Sequence, residues 1–96
     1  MTIAQTILQQ LGGGRFIAMT GARNFIASEA SDGRGLLRFA VPRIGIVTIT
    51  LTAMDDYIVR IIAPRTGAEK AMREGVYADN LQAVFSKMTG LATRLF

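Results

Sequence analysis

The chain has 96 residues, a formal charge of +4, and a composition that is half hydrophobic. It has no cysteine and no histidine. That excludes disulfides, thiolate nucleophiles, most zinc and copper sites, and the usual general base near neutral pH. No apolar run approaches the ~20 residues of a membrane span, and MTIAQTILQQLGGGR lacks the basic leader and long apolar block of a signal peptide. The expectation is therefore one small cytoplasmic domain with no membrane association.

Thr2 to Leu11 reads as a helix, with Ile3, Ile7, Leu8 and Leu11 on one stripe and Thr2 and Gln5 as a weak capping box. Gln5, Gln9 and Gln10 take the polar side. The glycines at 12 to 14 end the helix. A phosphate-binding loop leads from a strand into a helix, and here the glycines follow a helix and carry neither GK[ST] nor GxGxxG. They read as a cap and linker. Phe16 to Thr20 reads as a strand or a helical turn, and Thr20 to Ala22 as a turn.

Asn24 to Glu29 reads as a strand, and SDGRG (31 to 35) as a hairpin loop. Leu36 to Val41 is the returning strand, and Pro42 to Gly45 a break. IVTITLT (46 to 52) is the clearest strand, alternating apolar residues with threonine. Ala53 to Asp56 turns it into a partner strand, Tyr57 to Ala63, which Pro64 to Gly67 end. Ala68 to Gly75 is polar and reads as a loop or a frayed helical turn. A last helix begins at Val76 or Ala78 and runs to about Thr89, with Leu81, Val84, Phe85 and Met88 on its apolar face. Asp79 and Lys87 suit its dipole, and Gly90 ends it. Leu91, Leu95 and Phe96 form an apolar tail expected to pack on the domain. The expected fold is α+β: an antiparallel sheet of about four strands with an N-terminal and a C-terminal helix on one face.

Three stretches, TIAQTILQQLGGGRFIAMTGARNF, ITLTAMDDYIVRI and EGVYADNLQAVFSKMTGLATRL, together resemble a family of small phage- and prophage-encoded proteins. The resemblance covers nearly the whole chain, which departs from the family pattern in its longer hairpin around SDGRG. It implies a mobile-element origin and a bacterial host's cytoplasm, and it supplies no catalytic residue. Small accessory phage proteins often act by binding a host factor, including defence systems, so a host or phage protein becomes the expected partner.

The residues themselves offer little chemistry. Asp55 and Asp56 are adjacent in a turn, which aspartate favours, whereas magnesium sites usually draw carboxylates from separate elements. Glu29, Glu74 and Asp79 could meet in space, which the sequence alone does not show. The serines at 28, 31 and 86 have no histidine, and a serine–lysine pair would need Lys70 or Lys87 buried beside one. Neighbouring Ser86 and Lys87 point to different helix faces. No catalytic residue, metal ligand or cofactor is assigned, and the chain reads as a non-enzyme.

Alternation places Val47, Ile49, Leu51, Tyr57, Val59 and Ile61 toward the helices. Thr48, Thr50, Thr52, Ile58, Arg60 and Ile62 then lie on the other face, joined by Arg38. Ile58 and Ile62 break the polar outer face of an ordinary open sheet. A domain of this size does not easily hide so much apolar surface. Ile58, Arg60, Ile62 and Arg38 are therefore the expected partner-binding set, with a homodimer expected as well. The alternative is a basic nucleic-acid-binding module using Arg23, Arg43 and Arg65, although no RNP-like aromatic pattern accompanies them. Phe16, Phe25 and Phe39 read as core. A structural part of a phage assembly is the third reading.

Overall fold

A computed structural model describes residues 3–29, 35–52 and 54–90. Helix α1 (Ile3–Leu11) and helix α2 (Gly14–Thr20) precede five strands: β1 (Arg23–Glu29), β2 (Gly35–Val41), β3 (Gly45–Leu51), β4 (Tyr57–Ile62) and β5 (Glu69–Val76). Helix α3 (Leu81–Thr89) follows. The strands form one antiparallel meander in the order β1-β2-β3-β4-β5. The class is the expected α+β, with one more strand and one more helix. The tip of the 31 to 35 hairpin loop, the Thr2 cap and the tail beyond Gly90 lie outside the described residues.

The glycine run does two jobs. Gly13 N–H donates to Leu8 O at 2.9 Å and Gly12 N–H to Gln9 O at 3.1 Å, the paired bonds of a Schellman cap on α1. Gly13 also opens α2, where its carbonyl accepts from Ile17 N–H at 3.2 Å. The glycines thus end one helix and begin a seven-residue second one, which resolves Phe16 to Thr20 as helix.

The core lies between the helices and one sheet face. Ala4, Ile7 and Leu11 of α1, Phe16 of α2, and Leu81 and Phe85 of α3 pack with Leu37, Phe39, Val47, Ile49, Val59 and Ile61. Three rings meet at its centre: Phe16 stands edge-on to Phe39 at 5.5 Å and 87°, and to Phe85 at 5.0 Å and 67°. Edge-to-face contact sets the positive ring edge against a negative face. Phe25, half-buried, reaches the same core and lies 5.4 Å from Phe39. Tyr57 is buried and its hydroxyl donates to Gln10 Oε1 at 2.7 Å, tying α1 to the sheet. Gln10 thus belongs to the helix–sheet contact as much as to the polar side.

Two expectations need correction. Residues 69–76 form β5, neither a loop nor a helical turn, because as an edge strand the segment needs no apolar alternation. The last helix begins at Leu81, later than expected. Residues 78–80 form a turn in which Asn80 Oδ1 accepts from Tyr77 N–H at 2.8 Å, holding the chain outside the helix.

Candidate functional site

The helices leave the second sheet face uncovered, and backbone register fixes what it presents. One row crosses all five strands: Ile26 opposite Arg38, Arg38 opposite Thr48, Thr48 opposite Arg60, and Arg60 opposite Met72. On one side of it Leu36, Thr50 and Ile58 align, and on the other Ala40, Ile46 and Ile62. Leu36, Ile46, Ile58 and Ile62 are half-buried yet are absent from the apolar residues packed on the core. Ile26 and Met72, at the ends of the central row, are 56% and 39% exposed.

The four residues expected at the partner surface, Arg38, Ile58, Arg60 and Ile62, therefore share this face. The inward set is also as expected, with Leu51 half-buried against the core. The sequence reading missed Ile26, Leu36, Ile46 and Met72. Ile46 follows from the alternation of β3 itself, and Leu36 and Ile26 from carrying that alternation back through β2 and β1. Met72 had no such signal, since β5 itself was not recognised.

Two arginines sit in the middle, one strand apart on either side of Thr48 and about 10 Å from each other by strand spacing. Arg60 Nε lies 3.3 Å from Glu69 Oε1, with the two side chains 48% and 50% exposed, so the pair adds little stability. Arg38 is exposed and has no carboxylate partner among the described residues.

At one end of the sheet a cavity of about 340 Å³ is lined by Arg23, Arg43 and Lys70 together with apolar residues that include Pro42, Ile44 and Pro64. Two of the three arginines named for nucleic acid thus share one concave site. Arg65 follows Pro64 in the next turn but does not line the cavity. Bulges shape this end. Asn24, at φ 59°, is an extra residue between the Arg23–Ala40 and Ile26–Arg38 pairs. Lys70 is an extra residue between the Ile61–Ala71 and Ile62–Glu69 pairs. Its Nζ donates to Ile44 O at 2.7 Å, bridging β5 to the β2–β3 turn.

The carboxylates behave as turn formers. Thr52 Oγ1 donates to Asp56 Oδ1 and accepts from Met54 N–H at 3.1 Å, while Asp55 takes φ 63°. Among the described residues no three His, Cys, Asp or Glu side chains converge. Lys70 is exposed and engaged with a carbonyl, and Ser28 is exposed at the opposite end of β1. Neither has the buried setting of a serine–lysine pair, and Ser31 lies outside the described residues. No helix of the described residues is long and apolar enough to cross a membrane.

Comparison with family models, curated proteins and solved structures finds no match for this chain.

Proposed function

We propose that this chain is a non-catalytic binding protein of a phage or other mobile element, working in the host cytoplasm, whose open sheet face docks on a host protein. The observation that carries this is the composition of that face. Half-buried Leu36, Ile46, Ile58 and Ile62, with exposed Ile26 and Met72, surround the unpaired Arg38. The outer side of a solvated antiparallel sheet is ordinarily polar. Five strands at ~4.8 Å spacing and about 20 Å of strand length give a face of roughly 400 Å², within the size range of functional patches on monomers.

Charge selects the partner. Arg38 calls for a carboxylate on the facing surface, and the Glu69 carboxylate on this side is already engaged with Arg60. A second copy would bring its own Arg38, and like charges brought together in an interface disfavour association. The occupant supported best is a protein with an apolar surface that presents a carboxylate, and a homodimer is the competing outcome.

The test compares the wild-type chain with Arg38→Glu and with the double variant Ile58→Asp/Ile62→Asp, each confirmed as folded by circular dichroism. A protein captured from host lysate is purified and its affinity for each variant measured. Both variants should weaken binding at least tenfold, and Arg38→Glu perturbs no core packing. Unchanged affinity in both would refute the sheet face as the site. A wild-type dimer in light scattering that either variant dissociates would assign the face to a second copy instead.

A nucleic-acid module is the second reading. It is supported by Arg23, Arg43 and Lys70 around one cavity with Arg65 beside it. It predicts affinity that falls steeply with salt through counterion release. Against it, Phe16 and Phe39 are buried and Phe25 packs on the core, so none of these three rings is free to stack on a base.

A further inference from the structure

The cavity at the sheet end has a chemistry of its own, although it shares Ala40 and Ile46 with the edge of the open face. Its lining includes three cations, Arg23, Arg43 and Lys70, and no carboxylate. Neither arginine has an ion-pair or hydrogen-bond partner among the described residues. Lys70 commits one of its three donors to Ile44 O, which leaves two free and fixes the ammonium at the rim. The remaining wall is apolar, with Val41, Pro42, Ile44, Ile46 and Pro64 among it. At about 340 Å³ the cavity falls at the small end of the range for small-molecule sites.

We infer that this cavity binds a small phosphate monoester whose body is flat and apolar, the chemistry of a nucleoside monophosphate. The charge count selects the anion. A phosphate monoester carries about −1.5 to −2 at neutral pH, so it offsets more of the charge of three cations than a monocarboxylate does. Two guanidinium groups offer forked donors suited to phosphate oxygens, and the lysine adds a point charge. The prolines and isoleucines offer no hydrogen-bonding side chain, so they suit the face of a ring.

The backbone supports the site as a built feature. Arg43 is held at φ 70° in the Pro42–Ile44 turn, a conformation that glycine adopts more readily than arginine. Gly45 beside it allows the turn to close on β4: a methyl group there would lie 2.5 Å from Ile62 O. The turn that carries Arg43 is thus pinned by Gly45 from one side and by the Lys70–Ile44 bond from the other.

The experiment titrates ¹⁵N-labelled protein with adenosine 5′-monophosphate, inorganic phosphate and adenosine, following amide shifts. Submillimolar nucleotide affinity is expected, with shifts confined to Arg23, Arg43 to Ile46 and Lys70. Phosphate and adenosine alone should each bind at least tenfold more weakly. Arg43→Gly removes the guanidinium while suiting the positive φ, so it should fold normally and weaken nucleotide binding at least tenfold. Arg73→Gln, on the β5 side facing α3, should leave it unchanged. Absence of shifts at 5 mM nucleotide (a ceiling of roughly −3 kcal/mol for any binding), or shifts that Arg43→Gly does not alter, overturns the site. Phosphate binding as tightly as nucleotide overturns the assignment of a flat apolar body. A short oligonucleotide that binds far more tightly, with shifts spreading to Arg65, overturns the small-molecule reading in favour of a nucleic-acid surface.

Discussion

Replacing Gly45 with alanine should destabilise the domain far more than the same change at Gly67, and the difference can be worked from geometry. Both glycines have positive φ, 130° at Gly45 and 72° at Gly67. Around Gly67 an added methyl meets nothing within 4 Å. Its cost is that of a left-handed L-residue, about 1–2 kcal/mol, offset by about 0.4–1 kcal/mol of lost unfolded-state freedom. The net is roughly 0.5–1 kcal/mol. At Gly45 the φ lies outside every basin an L-residue occupies, with strain of about 1–3 kcal/mol. The methyl would also lie 2.5 Å from Ile62 O and 3.6 Å from Pro64 Cδ. Relieving that approach means separating β3 from β4 at their paired end, weakening a backbone hydrogen bond worth about 1 kcal/mol. The expected loss is about 2–4 kcal/mol.

Urea unfolding followed by far-ultraviolet circular dichroism measures both. A domain of this length has a total stability of roughly 5–14 kcal/mol, so Gly45→Ala should remain folded at low denaturant with a clearly lower midpoint. In thermal melts each 1 kcal/mol moves the midpoint by about 4–8 °C. Equal losses in the two variants, within about 0.5 kcal/mol, would show that the Gly45–Ile62 approach imposes no steric demand. The account of a pinned β2–β3 turn would then fail with it.

Two further predictions concern the core. Phe16→Ala removes the ring that contacts both Phe39 and Phe85 and should cost about 3–5 kcal/mol by urea melt, while Phe16→Leu should cost less than half of that. Burial pushes the Tyr57 hydroxyl above its ordinary value of 10.0. The folded state thus holds this proton more tightly than the unfolded state. The associated stability is present below pH 10 and is lost as pH rises through the folded-state value. Tyr57→Phe should cost about 1 kcal/mol at pH 8 through the lost bond and flatten the decline in stability above pH 10. An unchanged alkaline slope would place the titration elsewhere.

What could be read from the sequence follows from how strongly each segment's surroundings select its residues. β3 and β4 lie in the sheet interior with one face in the core, so Val47, Ile49, Val59 and Ile61 had to alternate and their inward set was legible. The same alternation places Arg38, Ile58, Arg60 and Ile62 on one face. β5 gave no such pattern for two reasons. As an edge strand it carries Glu69, Lys70, Arg73 and Glu74, charges that discourage pairing with another chain. Its register against β4 also shifts twice, between Tyr57 and Val59 and between Ile61 and Ile62. Inward-facing Ala71 and Val76 therefore stand an odd number of residues apart, and a period-two reading fails across them.

The same irregularities decide what the site became. A strand without bulges would have kept Lys70 and Arg23 in simple alternation on the sheet. The extra residue at Lys70 lets its ammonium reach the Ile44 carbonyl, and the extra residue at Asn24 shifts the register of β1 beside Arg23. Residues spaced 20 and 27 positions apart, Arg23, Arg43 and Lys70, then line one cavity. No spacing rule in the linear chain anticipates that grouping, because it depends on backbone departures from the regular ladder. The open face was legible because it obeys strand periodicity. The basic cavity was not, because it exists where periodicity is broken and bulges re-aim side chains.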